Sequence, residues 1–178
     1  MGIRTNLRTI AAGRSSASLS IVTVSVTARH ATSDDIPALV RLYGELEQEM
    51  DALHVMWKRA DALPQPIDEA FAASIESPDA VVIIGELDDL GFGFLIATVE
   101  PLVDGSLIGA IRFIFTEQAA REVGVAAAML ALALAELRSR GLSRFDAHVL
   151  PGHRLVKNFF EAGGFSARTI VMHHDDNA

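Results

Sequence analysis

Apolar and hydroxyl-bearing positions alternate with period two along SIVTVSVTAR, from Ser20 to Arg29, which predicts a first strand with one buried face. Thr32 and Asp35 then stand at capping-box spacing, acidic residues suit the positive end of a helix dipole, and Pro37 is tolerated in a first turn. A helix is therefore expected to start here and run to about Ala52. Ile36, Leu39, Val40, Tyr43, Leu46, Met50 and Leu53 recur at steps of three and four, forming one apolar stripe turned toward a sheet. From Leu53 to Pro66, around Trp57, Lys58 and Arg59, neither period holds and two prolines intervene, so a loop or irregular helix is expected.

A short helical pattern resumes from Ile67 to Ile75 and stops at Ser77 and Pro78. AVVIIGEL from Ala80 and GFGFLIATVE ending at Glu100 flank Asp88 and Asp89 and read as a hairpin; a further strand, Ser106 to Phe115, follows the Asp104-Gly105 turn. Phe92 and Phe94, like Phe113 and Phe115, lie two apart and are expected on one face of their strands. A helix apolar on nearly every side should run from about Val125 to Arg140, ended by Gly141. Arg144 to Leu150 reads as a strand, Gly152 to Ala162 as a helix and Phe165 to His173 as a last strand. This order points to an α/β sandwich with a mixed sheet.

Length and charge narrow the classes. At 178 residues, half of them apolar, the chain encloses one core, so residues 20–174 are expected to form a single domain. Residues 1–19, with Arg4, Arg8 and Arg14, read as an extension, and 175–178 as a frayed tail. A net charge of -8 argues against a nucleic-acid partner. With no cysteine, a thiolate nucleophile is excluded. The longest apolar stretch, Val123 to Ala135, falls short of the roughly 20 residues of a spanning helix. No membrane partner is expected, and the cytoplasm is the default compartment. His173 and His174 before Asp175 and Asp176 resemble a metal-binding tail, but a chain end without a third ordered ligand reads as frayed, and no metal is expected.

The chemistry concentrates at FIFTEQAAREVGVAAAML, where a strand ends at Phe115 and a helix begins near Gly124. Arg121, Gly124 and Ala126 fit R-x-x-G-x-[GA]; small residues let a diphosphate approach the open N–H groups of a helix start, and Arg121 would add charge-assisted contacts. A second ordered element, LPGHRLVKNFFEAGGF from Leu150 to Phe165, follows the strand FDAHVL. With ATSDDIPALVRLY in the first helix and Gly93 in the third strand, the chain from Thr27 to about His173 resembles the GNAT superfamily of acyl-CoA-dependent N-acyltransferases.

That resemblance implies a mixed, mostly antiparallel sheet splayed between its fourth and fifth strands, with helices on both faces. It also implies acetyl-CoA, or another acyl-CoA, lying in the gap. The pantetheine arm would pair with Phe113, Ile114 and Phe115, and the diphosphate would sit on Arg121, Glu122, Val123, Gly124, Val125 and Ala126. His153, Phe159 and Phe160 would lie along the cofactor in the last helix, His153 either contacting pantetheine or capping the helix. The acceptor would be a primary amine of a small molecule or protein, attacking directly. Candidate bases are His148, Glu100 and Glu86; His148 leads because imidazole titrates near neutrality. The family often places an acidic Tyr where this chain has Phe160, and Tyr43 lies on the packed stripe. A non-catalytic CoA-binding sensor or structural module is therefore the alternative. Trp57, with His54 and Lys58, either lines an acceptor pocket or anchors its loop. A chain ending soon after the sixth strand leaves an edge that a homodimer partner or the N-terminal strand would cover.

Overall fold

The computed structural model describes residues 24–53, 57–174 and 176. Among these residues five strands and five α-helices follow one another: β1 (Val26–His30), α1 (Ile36–Leu53), α2 (Trp57–Ala60), α3 (Ile67–Glu76), β2 (Ala80–Leu87), β3 (Leu90–Pro101), β4 (Leu107–Thr116), α4 (Val125–Ser139), β5 (Phe145–Ala147) and α5 (Arg154–Ala162). The strands form one sheet in the order β1-β2-β3-β4-β5, antiparallel except for the parallel pair β4-β5. Of the expected first strand, 20–23 lie outside the described residues, as does the extension 1–19. No described helix is long and apolar enough to cross a membrane.

Period and capping explain the first helix. Asp35 accepts the Thr32 N–H at 2.8 Å, half of the expected capping box, and α1 follows with Leu39, Leu42, Tyr43, Leu46 and Met50 buried. Leu42 joins a stripe that the three-and-four count had drawn through the half-buried Val40. These residues pack with Trp57, Phe71, Val82, Phe94, Ile96 and Phe115 on one side of the sheet. Each such large apolar side chain contributes roughly 1.5–3 kcal/mol by leaving water. The opposite side carries α4, whose Val125, Met129, Ala133 and Leu137 are buried over Val81, Ile83, Leu95 and Ile111, with Phe160 of α5 beside them.

Two bulges re-aim side chains. Glu86 pairs with Gly91 while Gly85 pairs with Gly93, so Phe92 is the extra residue. It packs on the α4 side while Phe94 packs under α1, which corrects the expectation that the two share a face. In β4, Ile111 pairs with Ala97 and Phe113 with Ile96, leaving Arg112 as the extra residue. Phe113 and Phe115 do share the α1 side, as the spacing predicted.

The C-terminal part departs most from expectation. β5 is limited to Phe145–Ala147, shorter than the predicted Arg144 to Leu150. Residues 165–174 form no strand. Period two makes a strand only when one face is covered, and Ile170, Val171 and Met172 are 75%, 84% and 87% exposed. The segment is tied to the sheet by Arg168, whose Nε donates to both Asp146 carboxylate oxygens at 2.9 Å.

Candidate functional site

The site begins where β4 and β5 part. Gly109, Ala110 and Ile111 pair with Phe145, Asp146 and Ala147, and the His148 N–H donates to the Ile111 carbonyl at 3.0 Å. Beyond that point β4 continues to Thr116 without β5 beside it. The Thr116 carbonyl, turned away from β3, accepts Arg121 Nε at 2.9 Å. Strand alternation then turns the main-chain groups of Ile114 to the same, open side. The Phe113 and Phe115 side chains are committed elsewhere, Phe113 against Tyr43 at 6.0 Å and Phe115 against Phe94 at 6.2 Å. Thr116 Oγ1, buried at the end of β4, has no hydrogen-bond partner among the described residues.

From Thr116 the chain makes a short 3-10 turn, Gln118–Ala120, and enters α4 through Glu122 at φ 66 and Gly124 at φ 104. Gly124 is the N-cap and caps nothing with a side chain, so the N–H groups that open α4 lack intrahelical acceptors and carry the positive end of the helix dipole. A Cβ built on Gly124 would meet no atom within 4 Å. Val123 is 40% exposed, Glu122 exposed and Ala126 half-buried, while Val125 is buried beneath the helix. The turn is thus open to solvent. Arg121 does not project from it: its guanidinium is held by the Thr116 carbonyl, by Glu49 of α1 and over the Phe115 ring at 5.8 Å. It therefore serves as an anchor for the turn, in place of the expected ligand contact.

A charged cluster lies beside the gap. Arg112, turned out by the bulge, places Nη1 3.6 Å from Glu100 Oε1 and 3.5 Å from His148 Nε2. Thr98 Oγ1 donates to Glu100 at 2.7 Å. Two of the three expected bases, His148 and Glu100, thus stand together, joined by an arginine that sequence reasoning missed; a one-residue bulge leaves no mark in the hydrophobic period. His148 is exposed by area, yet protein packed around the ring and the Arg112 cation hold its pKa below the ordinary imidazole value, against Glu100, Asp146 and Asp61. The ring is neutral near pH 7, the form that accepts a proton.

Glu86 is not part of this cluster. It lies on β2, two strands from β4, buried and taking hydrogen bonds from Thr27 Oγ1 at 3.0 Å and Arg29 Nε at 2.8 Å. Phe160 is buried against Phe159 and Phe165, with ring centroids at 5.3 and 5.2 Å. His153 is the N-cap residue of α5, but its side chain makes no cap hydrogen bond, so the capping role expected of it is not found. Tyr43 is buried with its hydroxyl accepting the Leu63 N–H at 2.7 Å, and burial pushes its pKa up to about 12. Trp57 is buried beside Tyr43 and anchors its loop. Lys58 pairs with Asp51 at 2.6 Å; His54 and Asp175 lie outside the described residues. His173 and His174 are exposed, His174 within 2.9 Å of Asp176. A surface depression of about 440 Å³ lies between Ala38, Arg41, Leu90, Gly91, Phe92 and Glu117, and Arg41 within it is already bonded to Glu117 and to the Gly91 carbonyl.

No protein-family model and no curated protein matches the sequence. Solved structures do match the fold. A transcriptional regulator from Bacillus halodurans C-125 is 23% identical, with a TM-score of 0.65 over 84% of this chain and 99% of that one. The aminoglycoside N-acetyltransferase AAC(6')-Iy, solved with CoA, is 16% identical, with a TM-score of 0.67 over 87% and 97%. An aminoglycoside acetyltransferase from an uncultured soil metagenomic sample is 12% identical, with a TM-score of 0.65 over 84% and 94%. At these identities the likeness establishes the fold, which is that of the GNAT acetyltransferases.

Proposed function

We propose that the chain is an acyl-CoA-dependent N-acetyltransferase that transfers acetyl from acetyl-CoA to a primary amine by direct attack. The observation that carries the reading is the open turn at Gly124, whose uncapped amides lead into α4 beside the part of β4 that β5 does not pair. Preorganised N–H groups at a helix start suit a diphosphate, and the Ile114 main chain suits the amides of a pantetheine arm. The orphaned Thr116 hydroxyl at the same strand end adds a polar atom with capacity to spare. Residues Val123 to Ala126 would hold the diphosphate through backbone, Ile114 would align the arm, and the half-buried Phe159 would flank it.

Acetyl-CoA would supply the activated acyl carbon. The protein's own part is to bring a neutral amine against it and to take up a proton, for which His148, kept neutral by its surroundings, is the base. Glu100, across Arg112, would orient the amine. Positioning of this kind accounts for much of the rate in a direct transfer. No hydroxyl stands where Phe160 does, so the leaving thiolate would take its proton from solvent. The same buried Phe160 favours a second reading, a CoA-binding module without turnover.

Two measurements test both. Calorimetry should detect acetyl-CoA binding, and thiol release with a panel of primary amines should separate enzyme from sensor. Ala126→Glu places a carboxylate in the first turn of α4, which favours the helix dipole while repelling a diphosphate. Affinity should fall at least about tenfold with the melting temperature unchanged or raised, since one charge-assisted contact is worth roughly 1.5–3 kcal/mol. Unaltered affinity in Ala126→Glu would refute the assignment of the turn.

A further inference from the structure

The acyltransfer reading leaves the acceptor undefined, and Arg112 bears on it. Arg29, Arg41, Arg121, Arg140 and Arg168 each donate to an acceptor at 3.0 Å or less. Arg112 does not. Its nearest acceptors among the described residues, Glu100 and His148, stand at 3.6 and 3.5 Å, beyond the 2.7–2.9 Å of a charge-assisted hydrogen bond. Its side chain is 34% exposed, so two-thirds of it is enclosed at the mouth of the gap. Glu100 also receives Thr98 Oγ1, and Asp146 is taken by Arg168. The bulge presents a planar five-donor group, sized for a carboxylate, next to the imidazole that faces the acceptor.

Resting on the proposed acyltransfer, we propose that the acceptor is an amine that also carries a carboxylate, as a free amino acid or a short peptide does, and that Arg112 binds that carboxylate while His148 faces the amine. The short span between Arg112 and His148 matches a molecule whose amine and carboxylate are separated by only a few bonds. A polycationic acceptor fits less well. Its additional ammonium groups would meet the Arg112 guanidinium at close range, and that guanidinium would keep its donors unfilled. Glu100, 3.6 Å from Arg112, supplies the negative side of the same cluster, and both it and Asp61 act on His148 electrostatically. The charged groups around the imidazole are thus Arg112 on one hand and Glu100, Asp61 and the Arg168-paired Asp146 on the other, a set suited to a zwitterion.

The test pairs α-amino acids and dipeptides with their C-terminal amides. Thiol release is measured for wild-type protein, Arg112→Gln and Arg112→Lys, and the free-acid members are titrated calorimetrically into CoA-saturated protein. Wild type should favour the acid over its amide by about 10- to 100-fold in kcat/KM, the range for one charge-assisted pair. Arg112→Gln should erase that preference mainly through KM, and Arg112→Lys should restore part of it. Equal use of acid and amide by wild type, which needs no variant, overturns the proposal while leaving acyltransfer intact. Should no amine release thiol, acyltransfer fails instead. The calorimetry then decides alone: acid binding lost in Arg112→Gln sustains the anion site, and no acid binding to wild type overturns it.

Discussion

Asp35 shows how much one carboxylate can organise. It accepts Arg29 Nη1 and Nη2 at 2.7 and 2.8 Å and the Thr32 N–H at 2.8 Å, so it fastens β1 to the start of α1. Arg29 in turn bonds Glu86, extending the link to β2. The Arg29 hydrogen bond is the main cause that lowers the Asp35 pKa from 3.8 to about 2. A carboxylate depressed on folding adds stability above its unfolded value, and that contribution is lost as pH falls from about 4 through about 2. The shift corresponds to about 2 kcal/mol. Urea unfolding followed against pH should show this loss in wild type, and Asp35→Asn should be less stable by a comparable amount near pH 7 and flatter below pH 4. Equal acid slopes in the two proteins would remove Asp35 from the account.

Elements are held at distances that particular residues permit. A Cβ on Gly93 would lie 2.7 Å from the Phe115 carbonyl oxygen and 2.9 Å from Met129 Cε, so Gly93→Ala forces β3, β4 and α4 apart. Overpacking of this sort costs about 1–3 kcal/mol. Gly44, inside α1, meets nothing within 4 Å, and Gly44→Ala should raise stability by about 0.5–1 kcal/mol. Thermal or urea denaturation of the two variants should therefore give opposite signs. Elements of this kind were largely legible beforehand. The α1 stripe, the β2-β3 hairpin and an α4 bounded by Gly124 and Gly141 all follow from local period and from glycines at positive φ. What escaped was decided by long-range pairing. The bulges that expose Arg112 and turn Phe92 over come from register between strands, and a period count along one strand does not register them. The segment after Phe165 had strand-like composition but no covering layer, so its alternation found nothing to bury. Glu86 and His148 are both ionisable residues on or beside strands, and only their neighbours distinguish a structural ion network from a charged cluster at a gap.

The whole molecule adds a field to these local contacts. With a net charge of -8, it repels a polyanion such as CoA at long range, whereas the open amides at α4 would, under the proposed function, attract a diphosphate at contact. The Debye length falls from about 30 Å at 0.01 M salt to about 8 Å at 0.15 M. Stopped-flow association with CoA should consequently speed up over that range, whereas a slowing would mean that a local positive field governs approach. The sheet itself has a further consequence. β4 and β5 share three paired positions and then diverge, with one side of the Ile114 and Thr116 backbone facing the divergence. Under the proposed function, a guest that pairs with that edge would do the work of a missing strand, and the folded chain would be an unfinished structure whose last component is its ligand. Occupancy and rigidity in the β5 and α5 region would then be one and the same event, each rising only as the other does.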